Sequence, residues 1–200
     1  MNTNIAINIT DKLAATQQPV QDLIRKRWSP RAFSSEGIAT EDLQTILEAA
    51  SWAASANNEQ PWRYFYGKNG QSGFDTIFRT LMPGNQPWAK NAAVLLVSVA
   101  RNTFAANGKP NPFAQHDVGM ANAQLLLQAA ALNIYGHAMG GFDKETLRQV
   151  LHLPEDQEPV CVIALGYKAP AEILEEPYLS REMAPRTRKP LTEISCEVTH

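Results

Sequence analysis

Two knots of arginine stand near opposite ends of this 200-residue chain: residues 25–33 read RKRWSPRAF and residues 185–190 read PRTRKP. A guanidinium offers N–H donors in a planar fork that matches phosphate oxygens two at a time. In the first knot Arg27 and Arg31 flank Trp28, Ser29 and Pro30, which add a hydroxyl donor and a rigid turn. In the second, Arg186 and Arg188 are two positions apart, so an extended segment points both to one side. The chemistry that suits these residues is the holding of an oxyanion, a phosphate above all. The ordinary alternative is a solvated basic face. The chain carries 18 Lys and Arg against 20 Asp and Glu, a net charge of −2, so the positive charge is local. That balance supplies no global field for nucleic acid or an anionic membrane.

Two further stretches have chemical possibilities. Residues 55–60, SANNEQ, crowd Ser55, Asn57, Asn58 and Gln60 into one turn before Pro61. These are common turn residues, and they are also able to read the hydrogen-bonding edge of a flat heterocycle. Residues 138–142, AMGGF, place two glycines together, which permits either a tight turn or a close approach of backbone to ligand. Other chemistries lack their patterns. There is no phosphate loop, and Gly136, Gly140 and Gly141 do not form a dinucleotide fingerprint. His116, His137, His152 and His200 show no metal-ligand spacing, and no serine sits in a nucleophile elbow. Cys161 and Cys196 are far apart and read as free thiols of a cytoplasmic protein. No apolar run approaches the roughly 20 residues that span a bilayer.

The elements that must position these residues follow from periodicity. A short helix over 20–28 is stopped by Pro30. A helix over 40–54, with Thr40 as N-cap, repeats apolar residues at Leu43, Ile46, Leu47, Ala50 and Ala54. Residues 62–66, 92–99 and 160–167 read as strands, and 74–81 as a helix. Residues 101–112 form a Gly-, Pro- and Asn-rich loop. An almost wholly apolar helix over 117–134 must be central, buried by neighbours or by a partner chain. Asp143 is placed to cap another helix. Both termini read as arms. The apolar fraction of 44% and charged fraction of 19% suit one folded domain over residues 1–200. The result is a mixed α/β chain with few strands and long helices, the strands separated by helices.

Taken in order, these segments resemble the nitroreductase family of flavin enzymes. Residues 27–33, RWSPRAF, resemble the family's opening Arg-Arg-Ser-x-Arg-x-Phe. Residues 54–62, ASANNEQPW, are similar to its Pro-Ser-Ser-x-Asn-x-Gln-Pro-Trp. YGHAMGGFD over 135–143 follows the long apolar helix, where the family has its Gly-Phe-Asp turn. Gly166 and Tyr167 end the last strand, and RTRKP over 186–190 is similar to the closing basic motif. Ala54 and Ala56 replace a usual proline and serine, and Gly140 stands where some members carry a glutamate.

The resemblance implies an α+β, nitroreductase-like fold with a central, mostly antiparallel sheet flanked by helices, in an intertwined homodimer with extended terminal arms and FMN at the interface. It implies that Arg27, Trp28, Ser29, Arg186 and Arg188 surround the phosphate and ribityl chain, with Arg31 near N1 and O2 of the ring. Ala54, Ser55, Ala56, Asn58 and Gln60 would come from the other subunit, and the backbone of Met139, Gly140 and Gly141 would meet the ring near N5. Asn85 is expected at the pyrimidine edge. NADH or NADPH would deliver hydride to N5, and a small electron-poor acceptor such as a nitroaromatic or quinone would follow in a ping-pong cycle. No side chain acts as catalyst, because the cofactor carries the chemistry. A non-catalytic flavin- or anion-binding module, or a specialised reductase or dehalogenase, is the alternative.

Overall fold

The computed structural model describes residues 12–199. Four strands form one antiparallel sheet in the order β1-β2-β4-β3: β1 (Trp62–Lys68), β2 (Val94–Arg101), β3 (Ile134–Met139) and β4 (Gln157–Tyr167). Strand β2 is buried along almost its whole length and is apolar on both faces, as a central strand must be. Its even positions Val94, Leu96 and Ala100 join Leu43, Ile46 and Leu125 in one core. These come from α2 (Thr40–Ser51) and α5 (Ala114–Ala131). Its odd positions Leu95, Val97 and Val99 join Phe74, Ile77, Trp88 and Leu147 on the other face. That face is covered by α3 (Ser72–Phe78), α4 (Gln86–Ala89) and α6 (Lys144–Val150). The period-2 alternation of one strand thus feeds two helical layers.

The strands at 62–68, 94–101 and 157–167 match the sequence expectation. Strand β3 does not: residues 134–139 sit in the stretch read as a turn. Glycine and histidine break the β-pattern there, and the reason for Gly136 is tertiary. A Cβ at Gly136 would lie 2.3 Å from Leu126 Cδ2 and 3.0 Å from Leu165 Cδ2, so a side chain there would force these leucines between α5 and the sheet to shift. Thr40 is also corrected. Ala39 occupies the N-cap, and Thr40 Oγ1 instead accepts a hydrogen bond from Lys68 Nζ at 2.8 Å. Asp143 caps α6 as expected, accepting from the Thr146 N–H at 3.0 Å.

Near the N-terminus, the short α1 (Asp22–Lys26) precedes the RWSPRAF segment. Past β4 the chain runs through α7 (Tyr178–Met183) into a largely exposed segment that carries only the four-residue α8 (Leu191–Ile194). The C-terminal arm is therefore observed, whereas most of the expected N-terminal arm lies outside the described residues. No helix among those residues is long and apolar enough to cross a membrane.

Candidate functional site

The two arginine knots converge. Lys12, Arg27, Trp28, Ser29, Arg31, Arg181, Arg186 and Arg188 line a cavity of about 300 Å³, together with the 184–187 backbone. Among the described residues, six cations and no carboxylate line it. Burial, and then the charge of Arg188, lower the pKa of Arg27. Burial, and then the charges of Arg27 and Arg188, do the same to Arg186. Like charges held together at this cost indicate a place prepared for an anion. The volume is at the small end for ligand pockets, enough for a phosphate and adjoining chain.

The individual side chains do different work. Arg27 Nη1 lies 3.4 Å from Ser29 Oγ, and Ser29 offers its hydroxyl beside it. Arg188 is exposed and touches only the adjacent Thr187 carbonyl, leaving most of its fork available. Arg186 departs from the expectation of a phosphate ligand. Its guanidinium donates to the carbonyls of Lys12, Arg25 and Arg27 at 2.6, 2.7 and 2.9 Å. It bolts the C-terminal segment across both sides of α1 and so builds the cavity wall. Arg186 falls into this role because three backbone carbonyls, one before α1, one in its last turn and one just past its end, converge where a planar fork reaches them all. The buried indole N–H of Trp28 has no hydrogen-bond partner among the described residues, and Lys12 Nζ stands 4.8 Å from its ring centroid.

Arg31 stacks over the Trp88 ring at 5.8 Å. Burial lowers its pKa, Glu182 opposes that shift, and Arg181 adds to it. Beneath the loop, His137 packs on Trp88 at 4.6 Å, and its Nδ1 is 3.0 Å from the Pro30 carbonyl. Burial, followed by the charge of Arg31, pushes the His137 pKa down to about 4. The ring is neutral at pH 7 and serves as a prop for the loop.

The glycine turn is also organised. Met139 buries its side chain in the core, so only its backbone is left for a ligand. Gly140 is exposed, and a Cβ there would meet nothing within 4 Å. The Gly141 carbonyl accepts from the Met82 N–H at 3.0 Å and from Asn85 Nδ2 at 2.9 Å. Asn85 therefore holds the glycine turn through one N–H of its amide. A Cβ at Gly141 would lie 2.9 Å from that same Nδ2.

Ala54, Ser55, Ala56, Asn58 and Gln60 do not line the cationic cavity. They belong to a 3-10 turn at Ala56–Asn58 and its flanks, between α2 and β1. Asn57, Asn58 and Gln60 adopt φ of 53°, 55° and 51°. Ser55 Oγ accepts from the Gln60 N–H, and Gln60 Nε2 donates to the Asn58 carbonyl, so these side chains stabilise their own loop. Asp117, buried at the start of α5, accepts from the Ala56 N–H at 3.0 Å through Oδ2. Its Oδ1 lies 3.2 Å from Nδ1 of the exposed His116.

Sequence reasoning missed Lys12, Arg181, Trp88, His137 and Glu182. The last four lie in segments whose patterns describe a core or an exposed surface, and no local spacing links them to the arginines. The only available signal was the extra basic residues flanking each knot.

A sequence model of the nitroreductase family matches residues 24–167. A protein of Archaeoglobus fulgidus named "Putative NADH dehydrogenase/NAD(P)H nitroreductase" is 29% identical over 153 residues, covering 72% of this chain and 83% of that protein. An iodotyrosine deiodinase of Haliscomenobacter hydrossis is 26% identical over 185 residues, 78% of this chain and 81% of its own. A crystal structure described as an oxidoreductase containing FMN superposes with a TM-score of 0.87 at 36% identity, covering 92% of this chain and 93% of that one.

Proposed function

The chain belongs to the nitroreductase family, and from that premise we propose that it is an FMN-dependent NAD(P)H oxidoreductase whose cofactor lies between two copies of the chain. The observation that carries this reading is the cavity of six cations drawn from both ends of the sequence, with no carboxylate among its described lining residues. A phosphate monoester supplies the missing negative charge. Bound FMN would supply hydride-transfer chemistry between a nicotinamide donor and an electron-poor acceptor such as a quinone or nitroaromatic.

The chain's own residues bind and orient. Arg27, Ser29 and Arg188 hold the phosphate, with Trp28 and its unpartnered indole N–H beside them, while Arg186 keeps the wall in place. Arg31 brings positive charge to the ring end, where it favours negative charge on the pyrimidine side. Gly140 and Gly141, with the Met139 backbone, let the main chain approach the ring. The 54–60 loop lies outside the cradle of its own chain, which supports its serving the cradle of a second copy through Ala54, Ser55, Ala56, Asn58 and Gln60. On this reading residues 1–200 form one FMN-binding domain. Donor and acceptor use the same face in turn, which gives ping-pong kinetics. Two free cysteines accord with a cytoplasmic setting.

The test is an absorbance spectrum of the purified protein, followed by anaerobic titration with NADH and NADPH. A flavin spectrum that bleaches with either donor is the expected result. A colourless protein that takes up no added FMN would defeat the reading. A yellow protein that oxidises neither donor would leave a flavin-binding module. A panel of quinones, nitroaromatics and halogenated phenols then separates a general reductase from a dehalogenase like the deiodinase relative.

A further inference from the structure

Behind the cationic cavity lies a carboxylate that does not line it. Glu182, on α7, is 4% exposed. Its Oε2 accepts from the Arg31 N–H at 2.9 Å and its Oε1 from the Ala32 N–H at 3.3 Å. Two consecutive backbone amides thus grip one buried carboxylate. A buried anion is costly unless paired and hydrogen-bonded. Here the compensation comes from those amides together with the charges of Arg31 and Lys12, whose pKa values Glu182 raises against the lowering effect of burial.

Each of these contacts bears on Arg31. The amide bonds tie the backbone of residues 31 and 32 to α7, just before Phe33 bridges to Lys168 at the sheet edge. They leave the Arg31 side chain to stack over Trp88. Neighbouring Ala184, two residues on, accepts from Lys12 Nζ at 3.0 Å, so the same short segment orders a second cation. A neutral hydrogen-bond acceptor would suffice to hold two N–H groups. An ionised carboxylate also offsets charge.

We infer that Glu182 is a positioning residue that holds the Arg31 backbone for cofactor binding and, by its own negative charge, moderates the effect of Arg31 on the reduction potential of the bound flavin. The inference rests on the FMN reading above. Its physical basis is that a fixed negative charge close to a redox group disfavours the added electrons, while a positive one favours them. Glu182 moderates what Arg31 would otherwise do.

Two variants separate charge from grip. Glu182→Gln keeps the shape but removes the charge and replaces one acceptor with a donor. Glu182→Asp keeps the charge and shortens the reach. Each is purified with FMN, its FMN dissociation constant is measured by fluorescence quenching, and its two-electron midpoint potential by equilibration with reference dyes. Glu182→Gln is expected to shift the midpoint positively, by the equivalent of a roughly three- to tenfold change in equilibrium, while Glu182→Asp stays at the wild-type value. Both should bind FMN more weakly than wild type. A wild-type midpoint in Glu182→Gln with FMN retained would overturn the inference. So would loss of folding in both variants, which would assign Glu182 to the fold alone. A wild-type protein that takes up no FMN overturns the cofactor reading first, and that result is visible before any variant is made.

Discussion

The cationic cradle and the 54–60 loop are the two regions to which the proposed site is assigned, and they are made of opposite materials. The cradle is written in charge: Lys12, Arg27, Arg31, Arg181, Arg186 and Arg188 border one cavity, with Glu182 behind it. The loop is written in backbone shape: three non-glycine residues take positive φ, and neutral side chains close on their own turn. Charge acts over distance and tolerates imprecise placement. Shape acts only at contact and has to be held. The cradle is therefore expected to lose affinity without losing its fold, and the loop to exchange fold stability for function.

The largest effect tests the cradle. Arg27→Ala combined with Arg188→Ala removes two forks whose charged hydrogen bonds are worth about 1.5–3 kcal/mol each. FMN affinity should fall on the order of 10²-fold or more by fluorescence titration, with thermal stability nearly unchanged. Unaltered affinity would remove the cradle from the cofactor site and end the contrast.

The next effect concerns pH. His137 props the cradle loop as a neutral ring with its pKa pushed down to about 4, against 6.5 in the unfolded chain. Because the unfolded state binds the proton more readily, the stabilisation is fully present above pH 6.5 and is lost as pH falls toward 4. The loss is on the order of 2–3 kcal/mol across that window. Urea denaturation of wild type and His137→Gln at several pH values measures it. The variant should lack that slope, and equal slopes would show that the ring is not buried neutral.

A third effect separates two members of the same knot. Arg186→Ala takes this donor from the carbonyls of Lys12 and Arg27 and one of two donors from the Arg25 carbonyl, which also accepts from the Ala14 N–H, at a cost of about 1–3 kcal/mol in stability. The melting temperature should drop, in contrast to the Arg27 and Arg188 pair. Arg186→Lys should not restore it, since one ammonium lacks the planar fork that reaches three carbonyls.

Legibility in the sequence follows the same division. Helices α2 and α5 and the strands β1, β2 and β4 were readable because each obeys a simple period over several residues. Strand β3 was not, because Gly136 answers to Leu126 across the fold and not to its neighbours in sequence. The arginines of the cradle were visible as charge clusters. Their division of labour was not: nothing in PRTRKP distinguishes Arg186, which grips carbonyls, from Arg188, which faces solvent. Glu182 lies in YLSREM without any local mark, since its partners are the backbone amides of Arg31 and Ala32, 150 residues away. The turn residues of SANNEQP were legible as a turn, but not as one with three positive φ angles.

The smallest effect sharpens the comparison most. Asparagine tolerates the left-handed region better than glutamine, so Gln60 at φ 51° carries the largest strain in its loop. Gln60→Gly removes a penalty of about 1 kcal/mol but also gives up the bond from Nε2 to the Asn58 carbonyl and adds freedom to the unfolded chain. These losses offset the relief of strain, so the net change in stability of the folded chain should be close to zero. If the strained loop exists to meet a second copy's cofactor, the same variant should bind FMN severalfold more weakly despite its nearly unchanged stability. Unchanged FMN affinity would mean that the strain serves the loop alone, and that the two regions do not share a site.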